Sequence, residues 1–446
     1  MSAFSQFICS LIFFTTALQA GSTGSDNFIS VELFPPVDEH AHGSTIVECP
    51  NGDLLAAWFQ GSGERWADDV AIQGARLKQG TKTWSAAFLM ADVPEFPDIN
   101  PVLFVDPKDN LWLVWYTVIA NQWETSLLKY RVSDKYTEAD APEWKWQDVI
   151  HVKPGDRAER GIQPGDRFVV SVERQILEII DHLKNEQNAP ETLLQRLEKR
   201  GEQVLSKARG EDWLRRGYLY KDDGERVSQQ MGYPYFRRMG WQTKNKPFIT
   251  KTGRIILPLY SDGFSFSLMA ITDDLGKNWS FSEPLVGVGN IQPTIVEKEE
   301  GTLVAYMRDN GPPPKRLQVC YSTDQGNSWS TVKDSKIPNS GAGSDMVTLS
   351  NGYWVLANND LESGRHSLAI SLSKSKGETW EYTRHLEADN RKSNPTRFAY
   401  PSIIQGRDGL IHVIYSVHHQ DGKGETIKYA SFDQDWIIKG DAQREN

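Results

Sequence analysis

Along most of the chain, apolar residues come in runs of four to eight that are closed by Gly, Asn, Asp or Pro. Runs such as "GTLVAYMR", "YWVLANND" and "SLAISLSK" are rich in β-branched and aromatic residues. Their length and composition predict short strands. Pairs of runs joined by a turn recur: "HGSTIVECPNGDLLAAWFQ", "NPVLFVDPKDNLWLVWYT", "KNKPFITKTGRIILPLY", "IQPTIVEKEEGTLVAYMR", "SDMVTLSNGYWVLAN" and "YPSIIQGRDGLIHVIYS". These make six units, beginning near Gly43, Asn100, Lys244, Gln292, Asp345 and Tyr400. One segment departs. Val172, Ile176, Ile179 and Leu183 follow helical spacing, as do Leu194 and Leu197 beyond the break at "NAP". A helical hairpin is expected there, as an insertion over residues 165–240 between the second and third units. It is either a lid or wall over one face or a surface decoration.

A second pattern sets the period. "TDDLGKNW", "STDQGNSW" and "SKSKGETW" end at Trp279, Trp329 and Trp380, which stand 50 and 51 residues apart. Fixed spacing of this size predicts a propeller or a solenoid. Several short strands per repeat match one propeller blade, a small antiparallel sheet. The expected fold is all-β: a six-bladed β-propeller over residues 21–446 with the helical hairpin inserted. Within each octet the Asp accepts backbone N–H bonds in a tight turn and the Gly supplies a conformation closed to other residues. The Trp packs over the turn. None of these roles needs a substrate, so Asp274 and Asp324 are read as structural, with Ser375 a weaker substitute in the third copy.

Composition narrows the function. The chain of 446 residues carries a formal net charge of -10, the opposite of the basic surplus that neutralises phosphates, so nucleic acid is not an expected partner. "FICSLIFFTTALQA", Phe7 to Ala20, is apolar, uncharged and too short for a spanning helix. It reads as a secretory leader over residues 1–20, removed after Ala20, which predicts a secreted or periplasmic protein without a membrane span. The mature chain then keeps Cys49 and Cys320, too few for a disulfide framework or a Cys-based zinc site. No metal-ligand pattern and no cofactor motif stand out.

The octets resemble the Asp-boxes, or bacterial neuraminidase repeats, of the sialidase (neuraminidase) superfamily. That resemblance covers nearly the whole mature chain and implies a six-bladed propeller acting on a carbohydrate. It also implies a site: three Arg for the substrate carboxylate, a Tyr nucleophile activated by a Glu, and an Asp as general acid and base. Position by position, the likeness places the nucleophile at Tyr400 in "FAYPSI" and two triad Arg at Arg308 in "GTLVAYMR" and Arg365 in "ESGRHSLAISLS". The acid/base falls at Asp69 in "WADDVAIQ", with Asp68 adjacent. Two positions depart. His42 stands where the first triad Arg is expected, and Gln292 stands where the activating Glu is expected. A Gln amide takes no proton from a phenol. "NKP", "QP" and "YP" motifs at Asn245, Gln292 and Tyr400 resemble a sialidase-like branch of the superfamily. Lys244 and Lys246 are either substitutes for the missing positive charge or a solvated pair.

Three functions compete. The first is an exported exo-acting hydrolase that removes a terminal carboxylated sugar, sialic acid foremost, from an acidic glycan. The second is a polysaccharide lyase with His42 and Tyr400 as base and acid on a uronate. The third is a glycan-binding propeller whose catalysis went with the Glu.

Overall fold

The computed structural model describes residues 28–441, apart from 139, 157–160, 164, 186–188, 222 and 421. The leader expected over residues 1–20 lies outside the described residues. Among those described, no helix is long and apolar enough to cross a membrane.

Six four-stranded antiparallel sheets form the blades of a propeller. Their first strands are His40–Glu48, Asp98–Val105, Phe248–Ile249, Asn290–Glu297, Asp345–Thr348 and Arg397–Gln405. Each begins where the strand–turn–strand pattern places a unit. Blades stack face to face, so strands inside them are covered on both sides, and Leu111–Val118 is buried along its whole length. That is why "LWLVWYTV" reads as a continuous apolar run and not as an alternation. Between the last blade and the first, Trp58, Ile414, Ile427 and Tyr429 share one buried cluster.

The ring closes with a strand that the pattern did not announce. Ile29–Glu32 pairs antiparallel with Gly424–Phe432, Ile29 opposite Ser431 and Glu32 opposite Lys428. The sixth blade therefore takes three strands from the end of the chain and its outermost strand from the start. This pairing ties the two ends together and covers an edge that would otherwise be open.

The octets are turns between the two outer strands of their blades. Asp324 accepts the Ser328 N–H at 2.9 Å and the Ser328 hydroxyl at 2.6 Å, and Ser322 Oγ accepts the Gly326 N–H at 2.9 Å. Gln325 and Gly326 both have left-handed φ, +59° and +87°. Trp329 is buried and donates to Gly326 O at 3.2 Å. Ser375 replaces the carboxylate with a single hydroxyl, which accepts the Thr379 N–H at 2.9 Å and lies 2.8 Å from Thr379 Oγ1. Asp324→Ala strips the turn of its acceptor, and a loss of about 1 kcal/mol of stability is expected. Chemical denaturation checks it, with ligand binding at the propeller centre unchanged.

The inserted segment contains the helices α1 (Arg167–Asn185) and α2 (Glu191–Arg209). α1 buries Phe168, Val172 and Ile179, and α2 buries Leu194 and Leu205. Gln175 pins α1 to the third blade, donating to Pro284 O at 2.7 Å and accepting from Val286 N at 2.9 Å. Lys207 of α2 donates to Gly263 O at 2.6 Å. The pair is thus fastened to the third blade at both helices. The insertion also holds a β-hairpin, Leu214–Tyr220 with Arg226–Gly232, and a short helical turn at Tyr235–Arg238.

Candidate functional site at the propeller centre

Four first strands are broken at the same place. Their pairing slips between His42 and Thr45, Ile99 and Val102, Ile291 and Thr294, and Ala399 and Ser402. The first unpaired residues are Gly43, Asn100, Gln292 and Tyr400, with φ of +65°, +47°, +55° and +53°. After Asn100, Gln292 and Tyr400 comes a proline, which has no N–H to lose at a bulge. A bulge re-aims a side chain out of the pleat. Left-handed backbone at a side chain larger than Gly costs on the order of 1–2 kcal/mol. Three such residues at equivalent places in three blades mark a region held under strain by its surroundings.

The re-aimed side chains meet. Tyr400 Oη accepts hydrogen bonds from Gln292 Nε2 at 2.9 Å and Arg308 Nη1 at 3.0 Å. Arg308 Nη1 also lies 3.4 Å from Gln292 Oε1. Behind them, Gln292 Nε2 reaches Tyr260 Oη at 3.4 Å, and Asn100 donates to Tyr260 at 3.3 Å and Tyr116 at 3.1 Å. Burial pushes the Tyr116 and Tyr260 phenols up, so both remain neutral. The Arg365 guanidinium lies 5.6 Å from the Tyr400 ring centre, and the His42 ring lies 4.3 Å from it, tilted by 37°. The fifth blade can offer only a glycine here. A Cβ on Gly343 would stand 2.9 Å from Gln292 Oε1 and 3.3 Å from Tyr400 Cδ1. Both groups touching the Tyr400 oxygen are donors, so its own O–H points away from them. Negative charge on that oxygen would be held by an amide and a guanidinium.

Lys244, Asn245 and Lys246 sit at this centre but turn into the protein. Lys244 donates to Asn245 Oδ1 at 2.8 Å and to Pro401 O, the carbonyl that follows Tyr400. Asn245 donates to Gln292 O at 3.2 Å and Pro293 O at 3.0 Å. Lys246 is paired with Asp345, which is fully buried, and donates to Met346 O at 2.9 Å. Three consecutive side chains of the third blade thus grip the first strands of the sixth, fourth and fifth. Burial lowers Lys244 to about 7, and Lys246 adds to the effect.

A cavity of about 380 Å³ opens beside Tyr400, with His40, His42, Glu64, Trp66, Arg365 and Arg397 in its wall. Burial drives His42 well below the usual imidazole range, with His40 and Arg365 adding to the shift. His42 is therefore neutral and brings no positive charge to replace an Arg. His40 is the charged one. Burial works against its charge, but Glu425 at 2.9 Å and Glu64 at 3.5 Å outweigh it and raise His40 to about 9. Burial would raise Glu425, yet His40 and His418 hold it down to about 2. A raised His pKa stabilises the fold fully below 6.5, and that contribution fades as pH climbs through 9. The stability deficit of His40→Ala is therefore expected to be largest near pH 6 and to shrink above pH 9, read from denaturation midpoints across pH.

Arg365 is half-buried, and desolvation works against its charge, as do Arg308 and Arg397. Arg365 is thus within electrostatic reach of both Arg308 and Arg397, and an anion beside it would relieve the repulsion. Arg397 escaped the sequence reading, although it stands two residues before Ala399 on the same face of the strand, and both line the cavity. Asp69 takes a different place. It is exposed, and its carboxylate accepts the Ser62 N–H at 3.1 Å and the Ser62 hydroxyl at 2.8 Å. The Ser62 hydroxyl holds it below the usual carboxylate range. Glu64, in the same loop, lines the cavity. Cys49 and Cys320 are buried free thiols. Among the described residues no His, Cys, Asp and Glu cluster could hold a metal ion.

The sequence model of the BNR repeat-like domain matches residues 52–158 and 204–413, leaving a gap over most of α1 and α2. No curated protein matches the chain by sequence. Among solved structures it is similar to a protein of unknown function from Dyadobacter fermentans, with 13% identity and a TM-score of 0.58 over 91% of this chain and 97% of that one. It is similar to the Hadza microbial sialidase Hz136, with 14% identity and a TM-score of 0.57 over 89% of this chain and 66% of that one. The Trypanosoma rangeli sialidase gives 12% identity and a TM-score of 0.58 over 92% and 60%. The chain spans less than two thirds of the length of these two sialidases. At such identities the likeness is one of fold.

Proposed function

The chain belongs to the family of BNR repeat-like domains, and from that premise we propose that it is an exported, exo-acting glycoside hydrolase of sialidase type. It removes a terminal carboxylated sugar, sialic acid foremost, from a glycan. The observation that carries this reading is the approach of Arg308 and Arg365 to Tyr400, with Arg397 in the wall of the same cavity. Planar guanidinium groups suit a carboxylate, and a phenol suits attack beside one because it brings no charge of its own. In this scheme Arg397 supplies, from the sixth blade, the positive charge that neutral His42 does not. Tyr400 attacks the anomeric carbon and releases its phenol proton to solvent, with Gln292 and Arg308 holding its oxygen. Proton transfer to the leaving oxygen falls to the 62–70 loop, where Glu64 is in place and Asp69 would first have to leave Ser62. Water then releases the sugar and restores the phenol.

The test is incubation with sialyllactose, a fluorogenic aryl sialoside and terminal uronosides. Free acidic sugar is expected, and no release from any sialoside would remove sialic acid as the substrate. A second reading, a lyase on uronate polymers, is favoured by one feature: the groups bonded to the Tyr400 oxygen are donors, while a neutral His42 lies beside its ring. An ultraviolet-absorbing unsaturated product from a uronate polymer would select that reading.

A further inference from the structure

Trp66 is 59% exposed, although it lines the cavity beside Tyr400. It does not wave freely. The Arg65 guanidinium lies 5.2 Å from the Trp66 ring centre and 5.0 Å from that of Trp123, so one cation bridges two indoles. The Arg65 carbonyl accepts from Asn121 Nδ2 at 2.9 Å, tying the loop to the second blade. A Cβ on Gly63 would come within 2.7 Å of Trp66 Nε1, so the loop leaves room for the indole edge there. A large aromatic held in place yet left uncovered at a cavity is a surface awaiting an apolar partner. The cavity is also two-sided. Arg365 and Arg397 make one wall cationic, and Trp66 with Glu64 makes another. A carboxylated sugar belongs to the first wall, which leaves the second for what is attached to it.

We propose that Trp66, braced by Arg65 and Trp123, is the platform on which the neutral sugar of the leaving group stacks. The ligand class is a hexose presenting a face of C–H bonds, such as a galactoside, which the electron-rich face of an indole attracts. This rests on the reading of the cavity as a site for a glycosidic bond.

The experiment compares wild type, Trp66→Ala and Trp66→Phe on two substrates and one ligand. Sialyllactose has a leaving-group sugar, a methyl sialoside has neither a sugar nor a ring to stack there, and lactose alone tests the platform without turnover. For Trp66→Ala the expected result is roughly a tenfold rise in KM for sialyllactose at near-constant kcat. The methyl sialoside should change less than about twofold, and Phe should restore part of the loss on sialyllactose. Saturation-transfer NMR should show lactose contacting wild type and not Trp66→Ala. Equal losses on both substrates, or lactose signals that survive in Trp66→Ala, overturn the proposal. If no sialoside is turned over while lactose binding still needs Trp66, the platform stands and the sialidase reading falls.

Discussion

Tyr400→Phe is expected to lower kcat on the cleaved glycoside by roughly 10³-fold or more, with KM within a few-fold of wild type. The ring is kept, so its packing against His42 and beneath Arg365 is kept. Only the oxygen goes, and with it the atom on which Gln292 and Arg308 converge. Those two donors lose their shared acceptor, at a cost of about 1–3 kcal/mol if water does not replace it. A denaturation midpoint measured in parallel separates that cost from the loss of rate. The result also sorts the competing functions. A binder predicts unchanged affinity and no turnover to lose. A hydrolase and a lyase both predict the loss of rate, but only the hydrolase can pass through a glycosyl–Tyr400 adduct. A glycosyl fluoride carrying a second fluorine on the carbon next to the anomeric one would load the adduct, slow its breakdown and reveal it by mass.

The strand–turn–strand grammar and the Trp period were enough for the propeller, because blade strands covered on both faces leave long apolar runs that local turns must interrupt. The closing strand Ile29–Glu32 was not legible. It is four residues long, without a period of its own, and its partners lie near the other end of the chain. At the centre, the reading singled out Tyr400, Gln292, Arg308 and Arg365, which do meet, and it placed a unit start at Asn100 without giving that residue a role. The shared signal was the X-Pro step in "NPV", "QPT" and "YPS", which marks the bulge in three blades. Loop geometry was harder. Nothing in the run from Glu64 to Asp69 tells which carboxylate faces the cavity, because a loop has no period to assign faces. Charge misled in the same way. Lys244 and Lys246 read as exposed or substrate-facing, since a lysine in sequence gives no hint of a buried carbonyl or carboxylate waiting in another blade.

Those buried lysines give the second large expected effect. Lys244→Met is expected to cut kcat by roughly 10²-fold with a smaller change in KM, because the lysine acts on Tyr400 through the backbone. Its ammonium holds Pro401 O, one residue past a tyrosine kept at a φ of +53°. Without that donor the strained bulge loses a restraint, and a crystal structure of the variant should show Tyr400 shifted or its φ relaxed. Lys244→Arg keeps a donor and should recover part of the rate. Stability moves with pH in a direction that a lost packing contact alone would not produce. Lys244 titrates near 7 in the fold and near 10.5 when unfolded, so the unfolded chain binds more protons between those values. The folded state bears the full penalty of a buried charge below pH 7 and sheds it as pH rises toward 10.5. Wild type should therefore gain stability on Lys244→Met across that window by up to a few kcal/mol. A difference in stability that stays flat from pH 7 to 10 would mean that Lys244 is not the buried, half-charged clasp described for it.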